Sequence, residues 1–297
     1  MRSASPNITS VTNTTEDWDY YCIELPVGPT VWAGFGVLSG CVGIPASVWL
    51  LWVLGQRQRK GVTNDIYMLN LTVMDAIFNF YITPAMLNFL LWKNEMISKV
   101  NHVLYCFNIS GRPLFMACIC VDCFMAVVHP VTYMKMRRSR YRLLPCAAVW
   151  GFTLLFGMLF VHNQRLFITS YTGLPYLLSI PTIVVCDLAI LHTLRKPDPS
   201  RRSDVHPQKQ RALQTITTSL VMTLVSYLPV LLVCPFLSLM PATDQVKMCV
   251  IIIPVLIAPM LGSIIMPLLH LHGLGSLRGL QQCTRVSGPS GPPAQQP

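Results

Sequence analysis

The sequence has 297 residues, of which 53% are apolar and only 11% charged. A soluble domain usually carries roughly 25% charged residues, so a soluble enzyme is excluded and long uncharged runs point to helices that cross a membrane. The net charge of +10 would suggest nucleic acid in a soluble chain, but here its placement along the chain carries the meaning, and no nucleic-acid partner is expected.

The N-terminal stretch "MRSASPNITSVTNTTEDWDYYCIE" has no apolar h-region, so the first span is expected to act as the insertion signal. "NIT" at Asn7 and "NTT" at Asn13 are acceptor triplets for glycosylation on an outer face. The acids around Tyr20 and Tyr21 read either as a solvated tail or as a tyrosine-sulfation site. Seven apolar segments follow, near 30–54, 66–91, 100–128, 143–162, 172–194, 212–239 and 247–270. They divide the chain into an outer tail (1–29), a seven-helix domain (30–272) and an inner tail (273–297) that ends in "SGPSGPPAQQP", a composition that favours disorder.

The breaks between segments set the orientation. Sixteen of the 22 basic residues fall on one side, among them Arg57, Arg59, Lys135, Arg137, Arg138, Arg140, Arg142, Arg201 and Arg202. Basic loops stay in the cytosol, which places the C-terminus inside and the N-terminus outside. The chain has no HExxH, no Walker loop and no Gly-x-Ser-x-Gly, so no catalytic motif is present. His270 and His272 lack a third ligand for a metal, and no cofactor is expected.

The ordered series "GIPASVWLLWVL", "NDIYMLNLTVMDAIF", "VDCFMAVVHPVTYMKMRRSRYR", Trp150, Pro181, "SYLP" and "MPLLH" resembles the rhodopsin-like (class A) G-protein-coupled receptors along nearly the whole chain. The resemblance implies an all-α, seven-transmembrane bundle in the plasma membrane. It also implies a heterotrimeric G protein as cytosolic partner, an extracellular ligand, and contact between the basic loops and membrane lipid.

Several switch positions depart from the family pattern. The Asp-Arg-Tyr motif reads Asp122, Cys123, Phe124, and a cysteine cannot donate the hydrogen bonds of a guanidinium. Weak or atypical coupling is therefore expected, with Asp122, Cys123, Phe124, Arg137 and Arg138 facing the G protein and Asp122 turning to Arg137 or Arg138. Tyr227 stands before Pro229 where the family has Trp or Phe. Met266, Pro267 and His270 replace Asn-Pro-x-x-Tyr, and Ser47 replaces an Asn. The family's outer disulfide is missing, since Ser98 occupies its helix-three site. Cys22 and Cys249 are the candidate replacement bridge, and Cys283 is a candidate for palmitoylation.

The cavity implied by the resemblance would be lined by Tyr81, Asn88, Tyr105, Asn108, Ile109 and Tyr227. This apolar set with a few hydroxyls and amides suits a neutral or lipid-like ligand, or simply packs helix against helix. A peptide ligand is the other candidate, and a non-signalling scavenger, decoy or dimerisation partner is the alternative function. In the family, the acid matching Asp75 helps hold a sodium ion, and Arg112 falls at the assisting position on helix three. Asp75 lies ten residues above Asp65 and Arg112 eleven above Cys123, so both sit ~15–17 Å deep at ~1.5 Å per residue. An unpaired charge there costs ~2.5–3.5 kcal/mol, and the two are expected to pair, the guanidinium taking the place of the ion.

Overall fold

The structure is a computed structural model that describes residues 27–60, 65–92, 94–136, 139–162, 173–195, 221–230, 232–233, 236 and 246–286. Six helices in it are long and apolar enough to cross a membrane: Thr30–Arg59, Ile66–Leu87, Glu95–Val128, Tyr141–His162, Leu174–Thr193 and Cys249–His272. They correspond to predicted segments one to five and seven. Within the sixth segment the helix Val221–Val230 is described. The described residues contain helices and turns and no strand.

Prolines shape three of these spans in the same way. The first contains a wide π-type turn at Ser39–Gly43, the third at Phe107–Gly111, and the last at Lys247–Ile252. Each is followed closely by a proline: Pro45, Pro113 and Pro254. Proline has no N–H to donate to the carbonyl four residues back, and its ring crowds that carbonyl. A local widening to i→i+5 bonding relieves both problems.

The third span is the axis of the bundle, packing against the second, fourth and fifth and touching the last. Close approach is set by small residues, which is how helices associate where lipid removes the hydrophobic drive. A Cβ on Gly111 would lie 2.9 Å from Thr153 Oγ1 and closer still to Met74, so glycine lets spans two, three and four approach there without displacing either side chain. Toward the cytosol the core is Leu50, Leu71, Met74, Phe115 and Ile183, with the edge of Trp150 against Phe107 and Phe115. Trp150 Nε1 donates to Asn70 Oδ1 at 3.0 Å, tying the fourth span to the second. Toward the outer side a second core gathers Phe35, Phe78, Ile82, Met260 and Ile264.

The last helix runs without interruption from Ile253 to Val286. The sequence reading ended its apolar segment near 270 and opened a tail at 273. Leucines at 271, 274, 277 and 280 continue a helix-compatible spacing, although glycines at 273, 275 and 279 lower its propensity.

Candidate functional site

Arg112 opens the helical stretch Arg112–Val128 immediately after the wide turn, with Pro113 at its first turn. Its Nη1 lies 2.6 Å from Asp75 Oδ1, and both side chains are only 3% exposed. Its Nη2 donates to the Gly262 carbonyl at 2.5 Å. One guanidinium therefore joins spans two, three and seven. The fork geometry of arginine suits this, since two donors leave the same plane toward separate acceptors. Gly262 leaves room for the guanidinium, since a Cβ there would stand a tight 3.1 Å from Arg112 Cζ, Nε and Nη2. Charge is compensated inside the bundle, as an intramembrane charge demands.

One turn above Asp75, Asn79 forms a second polar knot that the sequence reading missed. Its Oδ1 accepts from Ser39 Oγ at 2.7 Å and Ser263 Oγ at 3.0 Å. Its Nδ2 donates to Ser47 Oγ and the Ser263 carbonyl, both at 3.2 Å. The i, i+4 spacing of Asp75 and Asn79 on one helix face was the available signal. Ser47, noted only as a departure from the family pattern, is one of the partners.

The predicted cavity residues divide into two groups. Tyr81 donates its hydroxyl to the Ile97 carbonyl at 3.2 Å. Asn88 spans the next connection, donating to the Asn94 carbonyl and accepting from the Asn94 N–H. Both hold the link between spans two and three together. Tyr105 packs on Trp32, with ring centroids 6.1 Å apart.

Asn108, Ile109 and Tyr227 lie deeper and are buried. Ile109 and Tyr227 pack with Tyr176 and Val230, the two tyrosine rings 5.2 Å apart. Asn108 has neither amide atom hydrogen-bonded among the described residues. The Tyr227 hydroxyl lies within electrostatic reach of Arg112 and Asp75 but closes no well-formed hydrogen bond among the described residues. Buried polar atoms in folded proteins almost always have partners, so this region offers hydrogen-bonding capacity to a guest or to water.

At the cytosolic end of the third span, Asp122 pairs with Arg142, a residue that the sequence reading did not single out as its partner. Arg142 Nη2 lies 2.9 Å from Asp122 Oδ1 and donates to the Tyr133 hydroxyl at 2.6 Å. The Arg142 guanidinium also stands 5.2 Å over the Tyr133 ring, a cation–π arrangement. Arg142 starts the fourth span, while Tyr133 sits on the short helix Pro130–Met136. The turn ending at His129 folds that helix back across the third span, which brings them together. Arg137 and Arg138 lie outside the described residues.

Cys123 is half-buried with a free thiol, within electrostatic reach of Asp65, Asp122 and Asp187. Asp187, on the fifth span, is 1% exposed and has no ion-pair partner among the described residues. Sequence reading named it only for not being a tyrosine. Phe124 packs edge-on to His129. On the last helix Met266 and Pro267 are buried and His270 is half-buried, while Pro229 is half-buried in Val221–Val230. Cys249 is disulfide-bonded, with its partner outside the described residues, as are Cys22, Asn7, Asn13, Tyr20 and Tyr21. Cys283 lies on the last helix. Among the described residues no cluster of three metal-ligating side chains occurs.

Apolar helices of membrane-spanning length, with the Arg112–Asp75 pair buried among spans two, three and seven, fit a seven-helix membrane bundle. The family model for seven-transmembrane receptors of the rhodopsin family matches residues 47–168, which supports a rhodopsin-like receptor. It is 26% identical to human proteinase-activated receptor 3 over 188 residues, covering 53% of this chain and 50% of the relative. Against chicken lysophosphatidic acid receptor 6 it is 32% identical over 119 residues, 39% of this chain and 36% of the relative. Against bovine lysophosphatidic acid receptor 5 it is 24% identical over 219 residues, 63% and 58% respectively. The chain spans about half the length of the curated relatives it matches. These relatives are receptors rather than enzymes.

Proposed function

We propose that the chain is a plasma-membrane receptor, N-terminus outside, that senses a lipid-like ligand and passes its signal weakly to a heterotrimeric G protein. The carrying observation is the Asn108 amide and Tyr227 hydroxyl, buried beside Ile109 and Tyr176 and without hydrogen-bond partners among the described residues. An apolar guest with a small polar head would satisfy them, since a hydrogen-bonding site left empty forfeits each group's desolvation cost. Two of the relatives are named for lysophosphatidic acid, which agrees with an amphiphilic guest. In cells carrying sensors for each G-protein class, a lysophospholipid panel should give a response that Asn108→Leu and Tyr227→Phe shift to higher concentration. A response from a ligand class that neither variant affects would place the guest elsewhere.

The role of Arg112 belongs to the same reading. Its guanidinium fills the space where family relatives place sodium, so the receptor's ligand affinity should be unchanged by replacing sodium with an inert cation. Cys123 favours a second reading, a non-signalling scavenger, decoy or dimerisation partner, because no guanidinium stands at that position. Cys123→Arg at equal surface level separates the two. The receptor reading expects agonist-driven signalling to rise. Surface expression with no G-protein class recruited, in either form, supports the second.

A further inference from the structure

One side chain divides the outer half of the bundle. Tyr105, on the third span, packs against two separate apolar clusters. On one side are Phe35 of the first span, Phe78 and Met86 of the second, and Ile257 of the last. On the other are Ile109, Tyr176, Tyr227 and Val230, from the third, fifth and sixth. The receptor reading seats its guest on the second side, which leaves open what occupies the first.

Span one supplies that occupant. Gly28, Trp32 and Gly36 fall four residues apart in Val27–Leu38, along one ridge of the helix. A Cβ on Gly28 would stand 2.5 Å from the Cys249 carbonyl oxygen, and one on Gly36 would overlap Met86. The two glycines thus bring the first span close to the last and the second. Trp32, between them, carries a bulky side chain inward from a backbone already near. Its ring centroid lies 6.4 Å from that of Phe35 and 6.1 Å from that of Tyr105, separations at which aromatic rings attract. Tryptophan near the outer end of a span usually lies in the lipid interface. Here it reaches from the first helix to the third and backs the Tyr105 ring.

We infer that Trp32 is a built-in occupant of the outer bundle, filling the seat among spans one, two and seven and fixing Tyr105 as a partition. A guest is then confined to the side of spans three, five and six. This rests on the receptor reading and narrows its ligand to an amphiphile with one slender chain, since a branched or two-chain body would need both sides of Tyr105. Trp32 is a positioning residue: it acts on the guest through Tyr105.

The test introduces Ile257→Cys, in the same cluster, into the full chain on intact cells and times its reaction with a charged, membrane-impermeant methanethiosulfonate. The parent chain without that cysteine sets the background. With Trp32 in place the new thiol should stay nearly unreactive, as Ile257 is 6% exposed. Adding Trp32→Ala should speed labelling at least about tenfold, because the thiol no longer waits for the bundle to open locally. Millimolar indole should slow it back toward the parent rate, since an apolar cavity takes up the ring it has lost. General loosening would not respond to indole, so that step separates an emptied seat from a weakened fold. Trp32→Leu, with a smaller gain, serves if the alanine variant fails to reach the surface. Equal labelling with and without the indole side chain overturns the inference, as does fast labelling that added indole leaves unchanged. Where a lysophospholipid activates the parent, Trp32→Ala should also respond to its diacyl homologue, and discrimination unchanged from the parent overturns the size limit. The thiol measurements need no agonist, so a silent lipid panel counts against the receptor reading alone.

Discussion

Two arginine–aspartate pairs lie on the same helix axis, about one helix half apart, and they do different work. At mid-membrane, Arg112 and Asp75 are equally buried, each 3% exposed, and the remaining donor reaches a backbone carbonyl on the last span. At the cytosolic face Arg142 is 5% exposed but Asp122 is 27% exposed, and a tyrosine completes the group. In the first case neither charge can reach water, so each depends wholly on the other. In the second, the acid retains solvent as an alternative partner. The first pair is therefore a structural clamp on three helices, and the second a latch that can open when the cytosolic face changes partner.

The sharpest way to break this comparison is Arg112→Ala, which leaves Asp75 buried and uncompensated. A loss of about 3–5 kcal/mol is expected, seen as failure to reach the cell surface or a collapse of the unfolding temperature in detergent. Asp75→Asn with Arg112→Ser should recover part of that loss, because the remaining groups are neutral. If the two single losses merely add in the double-mutant cycle, the pair carries no coupling. Gly262→Ala should cost less, about 1–3 kcal/mol for overpacking, through the methyl forced against the guanidinium. An unchanged unfolding temperature in that variant would mean the seventh span gives way freely.

Smaller effects belong to the cytosolic latch. Tyr133→Phe removes one hydroxyl from Arg142 and should cost about 0.5–1.5 kcal/mol, with basal G-protein recruitment altered more than surface level. The reverse result, surface level falling with recruitment unchanged, would make this second group a clamp as well. The exposed Lys99–Glu95 pair, at 2.7 Å one turn apart, sets the floor. Lys99→Ala should leave stability unaltered within error, as exposed pairs usually do.

Most of the fold was legible in the sequence because lipid imposes one rule, a long apolar helix per crossing. The limits of segments one to five and seven agreed with the helices within a few residues, except where the last helix runs on to Val286 past the polar and glycine-rich signals of a tail. The limits of the sixth lie outside the described residues. The Asp75–Arg112 juxtaposition was legible for a physical reason too: two opposite charges at one depth have few other options. Arg142 as the partner of Asp122 was not. Sequence proximity favoured Arg137 and Arg138, which lie outside the described residues, while the short helix after His129 brings Tyr133 and Arg142 to the third span. The Asn79 knot was only half legible: its i, i+4 spacing from Asp75 marked the helix face, but nothing in the apolar run named the three serines, on two other spans, that meet it.

The mid-membrane pair also bears on how the chain is made. Asp75 precedes Arg112 by 37 residues, so at ordinary synthesis rates the acid emerges on the order of a few seconds before its cation. Through that interval the second span carries a charge that lipid rejects and that no other basic side chain of comparable depth can neutralise. The wide turn and Pro113 come out of the ribosome just ahead of, and just after, the arginine itself. Because an uncompensated intramembrane charge is costly, the pair ties stable insertion of the second span to the arrival of the third.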